Sequence, residues 1–237
     1  MYKNFIKRIL DIICALLAMI FFCWLYAIIA VLVRIKLGSP VIFKQPRPGK
    51  KDKNGQERIF DMYKFRSMND ERDSNGNYLP DEVRLTSFGK KLRDWSLDEL
   101  PEVWNILKGD MSVIGPRPQL VRDMVFMTEE QRHRHDVRPG LSGLAQISGR
   151  NAISWDGKLA IDLEYIANVS FFGDLKIALL TIKKVFAREG ISAEGQATVD
   201  DYGDALLKEG RITEEEYMSK QDEAKELLRE DGCIARN

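Results

Sequence analysis

"IICALLAMIFFCWLYAIIAVLV", residues 12–33, carries no charge between Asp11 and Arg34. An apolar run of about 20 residues is what one helix needs to match the hydrocarbon core of a bilayer. The run is longer than the apolar part of a signal peptide, and no small-residue cleavage site follows it. The segment therefore predicts a membrane-embedded helix over residues 1–37. Its flanks are positive on both sides, with Lys3, Lys7 and Arg8 before it and Arg34 and Lys36 after it. A simple span concentrates positive charge on its cytoplasmic side. Two positive ends are also what a helix would show if it entered, bent and returned to the same face. A bend has a cause, usually Pro, Gly or an inserted polar group. The run contains neither Pro nor Gly and has Cys23-Trp24 near its middle, so spanning and re-entry both stay open.

Outside that run the chain is ordinary in composition. At 237 residues and 44% apolar content it suits one medium domain with attachments. Its zero net charge hides a polarity. From Glu194 onward there are 13 acids and 6 bases, which leaves 30 bases and 23 acids for the preceding body. A basic body suits an anionic partner such as phosphate groups or a membrane surface. The three cysteines, Cys14, Cys23 and Cys233, form neither a metal-binding spacing nor a disulfide framework. A reducing compartment fits them. His133 and His135, two apart on a predicted helix, point to different faces and make no zinc site.

Periodicity divides the remainder into a body over 38–195 and an acidic helical tail over 196–237. "SPVIFKQ" (Ser39–Gln45) and "RIFDMYKFRSM" (Arg58–Met68) predict the two strands of a β-hairpin around a Gly-rich connection. Residues Arg84–Trp95 have the spacing of a short helix. "TEEQRHRH" predicts a helix capped by Thr128, and Arg138–Ser154, rich in Gly and Ser, predicts a loop. Two further helices follow. The second has an apolar face of Leu175, Leu179, Ile182 and Phe186 edged by Lys176, Lys183, Lys184 and Arg188, which suits a core or a membrane surface. The tail predicts two short amphipathic helices around Gly210–Thr213 and resembles a short helical association module, hence a homo-oligomer through the tail. The fold class is α+β and mostly helical, with an embedded N-terminal helix, a short β-hairpin and surface amphipathic helices.

The chemistry concentrates in "SLDELPEVWNILKGDMSVIGPRP" (Ser96–Pro118). Ser96 and Glu99 match the capping-box pattern Ser-x-x-Glu. Pro101, which lacks an N–H, belongs in a helix's first turn and sets the start near Asp98. A carboxylate beside unpaired N–H groups is kept ionised, as a nucleophile must be. Adjacent helical residues point about 100° apart, so Asp98 and Glu99 do not face each other across one bond as glycosidase carboxylates do. They divide labour instead, one attacking and one holding a Mg²⁺ that neutralises a diphosphate. Phosphoryl transfer also needs a cationic clamp. Arg117, between Pro116 and Pro118, is a stiff mount for one. Lys64, Arg66, Arg93, Arg138 and Arg150 are further cations in predicted loops or short elements. Together with Gln146 they form the candidate substrate-binding set.

These residues carry a resemblance. "KRILD", "SPVIFKQPRPG", "MYKFRSM", "RLTSFGKKLRDWSLDELPEVWNILKGDMSVIGPRP", "RPGLSGLAQISGRNAISW" and the later Asp162, Tyr165 and Asp174 make residues 1–195 resemble the monotopic phosphoglycosyl transferases, the bacterial sugar transferase family. The nearest likeness is to the short members that start bacterial N-linked glycan assembly. The resemblance implies transfer of a sugar-1-phosphate from a UDP-sugar to polyprenyl (undecaprenyl) phosphate, with release of UMP. It places the enzyme in the bacterial inner membrane, in contact with its phospholipid, and the catalytic body on the cytoplasmic face. Carried over by position, Asp98 is the nucleophile and passes through an aspartyl-phosphosugar, and Glu99 with Asp98 holds Mg²⁺. Arg117 and Arg93, helped by Lys64, bind phosphate. In this family the membrane helix re-enters and is broken by a Ser-Pro pair, so the resemblance implies a re-entrant helix here too, with Cys23-Trp24 where that pair would stand. The rival readings are a membrane-bound phosphohydrolase of diphosphates and a non-catalytic membrane-tethered scaffold. Nucleic acid is a poor partner, because the basic residues are not interleaved with an aromatic stacking platform.

Overall fold

A computed structural model describes residues 1–149, 153–187 and 201–230. Arg150 and Arg188, and the side chain of Phe186, lie outside the described parts. Helix α1 (Lys7–Leu37), preceded by a π-turn over Tyr2–Ile6, is one uninterrupted run with no break at Cys23-Trp24. The β-hairpin joins β1 (Ile42–Lys51) to β2 (Glu57–Phe65) in antiparallel register, with Ile42 opposite Phe65 and Arg47 opposite Phe60. Strand β1 runs on through Pro46-Arg47-Pro48, a stretch predicted to be connection. A two-stranded ribbon has edges on which a missing proline N–H breaks no ladder bond, and the register shifts between Pro48 and Lys51.

The predicted helix Arg84–Trp95 is two pieces, α2 (Asp81–Arg84) and α3 (Ser87–Asp94). Thr86 divides them, because its hydroxyl accepts the Gly89 N–H as an N-cap. Gly89 itself is dictated by a close approach: a Cβ there would sit 1.7 Å from the Ser67 carbonyl oxygen. A short 3₁₀ turn (Leu97–Glu99) leads into α4 (Glu102–Lys108), with Pro101 at the N-cap. Then come β3 (Ser112–Ile114), α5 (Val121–Met124), α6 (Glu129–Arg132) and a 3₁₀ turn (His133–Asp136). Thr128 caps α6 with a reciprocal Gln131 contact, as predicted. The stretch read as loop holds β4 (Gly140–Ser142) and α7 (Leu144–Ser148). Strand β4 pairs in parallel with β3, a pairing of short segments far apart in sequence that periodicity does not reveal.

Helices α8 (Trp155–Ala167) and α9 (Phe171–Ala187) close the body. Among the described residues of α9, Asp174 and Ile177 are buried, Ile177 packed with Ile114 and Tyr165, whereas Leu175, Leu179 and Ile182 face outward. The predicted apolar face is therefore a surface and not a core seam. The tail forms α10 (Tyr202–Lys208) and α11 (Glu214–Glu230) around the predicted turn. Its apolar side folds back on the body: Ala224, Leu227 and Leu228 pack against Val121 and Val125, and Tyr202 and Leu206 against Met127 and Leu159.

Helix α1 is bound to the body at both ends. Near its start, Arg8 donates to the carbonyls of Ile106 and Leu107 at the C-terminus of α4, where helix carbonyls lack their i+4 partners. The buried Asp11 accepts from Ser112 Oγ and from the Val113 N–H, both at 2.9 Å. Near its end, Ile29 and Val33 pack with Phe65 and Leu92. Asp174 anchors the same end as Asp11, taking Lys7, the Tyr2 hydroxyl and the Tyr165 hydroxyl. Asp11→Ala strands the Ser112 hydroxyl and the Val113 N–H in a dry contact, so it should destabilise the protein by about 1–3 kcal/mol. The measurement is the apparent Tm of the detergent-solubilised protein; an unchanged Tm would show that this anchor is dispensable.

Candidate functional site

The acid pair sits on the 3₁₀ turn and not in the first turn of α4, because Pro101 takes the N-cap. Ser96 adopts a left-handed conformation (φ 52°), and its side chain makes no capping bond. The capping box predicted for Ser96 and Glu99 does not form. Glu99 turns to cations: its Oε1 accepts from Lys64 Nζ at 2.8 Å and from Arg117 Nη2 at 2.7 Å. Burial alone would raise its pKa, but the charges of Arg117 and Lys64 prevail and hold its carboxyl well below the usual range. Burial likewise works against the Lys64 ammonium, yet Glu99 and Glu102 outweigh it and its pKa is raised.

Asp98 is buried, with 7% of its surface exposed. Burial, and then the neighbouring charge of Glu99, push its carboxyl up to about 6, against the pull of Lys64, Arg93 and Arg117. The sequence argument for a fully ionised Asp98 beside helix N–H groups thus gives way to desolvation in a shielded turn. The result is a carboxylate that is mostly ionised near neutrality and poorly solvated, which is how a carboxylate becomes reactive toward phosphorus.

Glu102 was not legible as a site residue. Three positions beyond Glu99 it reads as a first-turn acid favoured by a helix dipole. In the fold it is 2% exposed, and its Oε1 lies 3.3 Å from Lys64 Nζ, at ion-pair distance but outside hydrogen-bonding alignment. Burial, and the charge of Glu99, carry its pKa up to about 7 despite Lys64. Asn105 was missed as well. Fully buried on α4, it accepts the Tyr63 N–H and donates to the Asp61 carbonyl, which clamps α4 to β2 and so holds Lys64 beside the acids.

Arg117 is held by more than its two prolines. Its backbone carbonyl accepts from Arg134 Nη2 at 2.6 Å, and the Pro118 carbonyl accepts from Arg47 Nη1 at 3.1 Å. Arg134 is buried in a pair with Asp162. The Arg117 side chain remains 40% exposed, so its guanidinium bridges Glu99 and the open side. Its pKa is raised, first by the Glu99 charge.

The remaining predicted residues divide. Arg93 on α3 donates to Ser67 Oγ at 3.0 Å, and its charge is felt at Asp98. Arg66 is spent on structure, donating to the carbonyls of Ser39 and Met68 and pairing with Asp70. Arg138 donates to the Gly109 carbonyl, at the opposite end of α4 from the acid pair. Gln146 on α7 donates to the Leu141 carbonyl, and its Oε1 is buried without a hydrogen-bond partner among the described residues. His133 pairs with Asp136, while His135 lies buried against Glu57, with burial lowering its pKa to about 4.

A family model described as "Bacterial sugar transferase" matches residues 2–188. The sugar transferase EpsL of Bacillus subtilis is 48% identical over 197 residues, which are 83% of this chain and 95% of EpsL. The galactosyl transferase CpsE of Streptococcus agalactiae is 40% identical over 78% of this chain and 43% of its own length. The UDP-N-acetylgalactosamine-undecaprenyl-phosphate N-acetylgalactosaminephosphotransferase of Aeromonas hydrophila is 38% identical over 78% of this chain and 45% of its own. The chain spans less than half the length of these last two relatives. A match over most of the chain settles the family: this chain belongs to the bacterial sugar transferases and is a phosphoglycosyl transferase.

Proposed function

We propose that this enzyme transfers a sugar-1-phosphate from a UDP-sugar to polyprenyl phosphate and releases UMP, with Asp98 as nucleophile. The observation that carries the reading is the buried Asp98 with its raised pKa, set beside a Glu99 that two cations hold ionised. The name of the Aeromonas relative, which couples a UDP-sugar, undecaprenyl phosphate and phosphotransfer, supports the substrate classes.

In the first step a carboxylate oxygen of Asp98 bonds to the sugar-side phosphorus. The bond from that phosphorus to the bridging oxygen breaks, and UMP leaves with the electron pair. In the second step a phosphate oxygen of the lipid attacks the same phosphorus, and the bond to Asp98 breaks, regenerating the carboxylate. An anionic nucleophile a few ångströms from a diphosphate meets several kcal/mol of repulsion at intermediate dielectric, from roughly 332/(ε·r). Arg117, partly exposed and rigidly mounted, receives the diphosphate, and Lys64 and Arg93 add positive charge around Asp98. The donor set also suits Mg²⁺. Hard carboxylate oxygens are offered by Glu99 and Asp98, and Mg²⁺ typically takes one or two carboxylates with the rest supplied by phosphate and water. Bound there, Mg²⁺ would supply charge neutralisation of the diphosphate.

We also place both ends of α1 on the cytoplasmic side, with the body. From Asp11 to Val33 the helix advances about 33 Å at 1.5 Å per residue, close to the roughly 30 Å thickness of the hydrocarbon core. Both residues are packed on the same body. A perpendicular crossing would tear one of them away. The opposite side of α1 offers Ile13, Leu17, Ile20, Phe21, Trp24, Ile28 and Ile35 to lipid, and α9 adds Phe172, Leu175, Leu179 and Ile182.

Asp98→Asn should abolish lipid-dependent UMP release while the protein still folds and binds membranes; substantial residual turnover would remove Asp98 as nucleophile. UMP release sustained without lipid would mark a hydrolase instead. In the wild type the rate should rise about tenfold per pH unit up to roughly pH 6, where Asp98 is half ionised, and then level off over the next unit. A single-turnover pH profile reads this directly. Glu99→Gln should slow UMP release by orders of magnitude and change the Mg²⁺ titration of the initial rate; superimposable titrations would remove Glu99 from metal binding. Finally, cysteines placed at Tyr2 and at Ser39 in a cysteine-free background should both be labelled from the cytoplasmic side, and labelling from opposite sides would show a through-span.

A further inference from the structure

The loop that carries Arg117 is held partly by the C-terminal tail. It leaves Pro118 through Gln119 and Leu120 and enters α5. Asp123, on α5 and 2% exposed, sits at that exit. Its Oδ2 accepts the Leu120 N–H at 3.0 Å, and its Oδ1 accepts the N–H of Tyr202, the first residue of α10, at 2.9 Å. Both N–H groups belong to helix starts, where the helix itself supplies no partner. Asp123 is a counter-charge as well. Arg47 Nη1 donates to the Pro118 carbonyl at 3.1 Å, and its Nε is buried without a hydrogen-bond partner among the described residues. Burial, and then the charge of Arg117, lower the Arg47 pKa to about 10, and Asp123 is foremost among the acids that oppose them. A buried guanidinium needs such a counter-charge. Asp123 therefore steadies the loop twice, through the Leu120 N–H and through the cation that holds the Pro118 carbonyl.

The tail side of this link is firmly seated. Asp201, the N-cap residue of α10, pairs with Arg122. Tyr202 is 2% exposed; its ring lies 5.2 Å, centre to centre, from that of Trp155, and its hydroxyl donates to Asp156 Oδ1 at 3.2 Å. Gly203 follows at a close approach, since a Cβ there would lie 2.4 Å from the Phe126 ring. Helix α11 adds an apolar seam: Ala224, Leu227 and Leu228 pack against Val121 and Val125, which flank Asp123 in sequence. The residues that fix the exit of the loop are thus the same ones on which the tail rests.

We infer that Asp123 is a positioning residue for the donor half-reaction and that the tail is the brace it uses: with Tyr202 seated, the exit of the loop is fixed and Arg117 is held where its fork meets the donor diphosphate. The inference rests on Arg117 as the diphosphate clamp, proposed above, and adds what sets its position. A two-pronged donor is sensitive to small displacements, because both N–H directions must match the phosphate oxygens. Asp123 acts through the loop and not on the donor itself. The inference gives α10 and α11 a task in the reaction, carried out by folding onto the body of their own chain.

The test asks whether tail and loop open together and whether the donor feels it. Backbone hydrogen exchange of the full-length protein in phosphatidylcholine nanodiscs, at rising urea below the unfolding transition, follows residues 117–124 and 201–208. Both segments should open in one step; a tail that exchanges while the loop stays protected overturns the brace. In parallel, Asp123→Asn leaves an amide whose single oxygen replaces two acceptors, and Gly203→Val drives a side chain into the Phe126 ring from the tail side. Each should raise the KM for the UDP-sugar at least fivefold and move the KM for polyprenyl phosphate less than twofold. A wild-type donor KM in Asp123→Asn, or a fall in kcat with both KM values unchanged, overturns Asp123 as a positioning residue. A wild-type donor KM in Gly203→Val overturns the part given to the tail. Should a variant fail to fold, the exchange experiment on the wild type still decides. Arg117→Lys reports the underlying reading by itself: an unchanged donor KM there would remove Arg117 as the diphosphate clamp, whereas the exchange map would still show whether the tail braces the loop.

Discussion

The site depends on one partly buried carboxylate shared between two cations. Glu99 Oε1 accepts from Lys64 on β2 and from Arg117 on the Pro116–Pro118 loop. That single atom ties together three segments that are far apart in the chain. An isolated buried charge is strongly unfavourable, and so is an isolated buried cation, but each is tolerable when paired. Glu99 therefore fixes where β2, the 3₁₀ turn and the arginine loop meet. It also leaves Asp98, the other member of the pair, without a comparable partner. The contrast between the two acids follows: desolvation wins at Asp98 and charge wins at Glu99. Neighbouring carboxyls with pKa values driven apart are the mark of divided chemical roles.

Around that atom the fold is a set of clamps. Asn105 bolts α4 to β2 through backbone groups at both ends of its amide. Arg134, neutralised by Asp162, and Arg47 hold the carbonyls of Arg117 and Pro118. Arg47 is itself near Asp123, which accepts the N–H groups of Leu120 and of Tyr202 at the start of the tail. Asp201 pairs with Arg122 beside it. The described part of the tail is thus seated on the elements that follow the arginine loop, with Tyr202, Leu206, Ala224, Leu227 and Leu228 packed on the body. The same logic governs the membrane side. Arg8 and Asp11 satisfy backbone and hydroxyl groups of the body, and this lets α1 lie against it although most of its surface is apolar and outward.

What the sequence determined by itself is everything that local physics encodes. The length of the uncharged run requires an apolar helix, and a helix is what forms over Lys7–Leu37. Alternation and turn residues place the hairpin, and Thr128 places a cap. The order of Asp98, Glu99 and the proline-flanked Arg117 offers a nucleophile, a metal ligand and a clamp, and the family resemblance assigns those roles. Tertiary structure decided what local patterns leave degenerate. Ser-x-x-Glu reads as a capping box until a lysine and an arginine from elsewhere take the glutamate. Glu102 is a first-turn acid on paper, and only burial next to Lys64 makes it part of the site. Arg66 and Arg138 are candidate substrate-binding cations in sequence, yet backbone carbonyls occupy them. The Leu175, Leu179 and Ile182 face has the spacing of a core seam and turns outward because Ile177 is what meets Ile114 and Tyr165. The reason is common to all four. A side chain's type is written in the sequence, but its charge state, its partner and the direction it faces depend on which distant groups share its desolvated space, and that is fixed only when the chain packs.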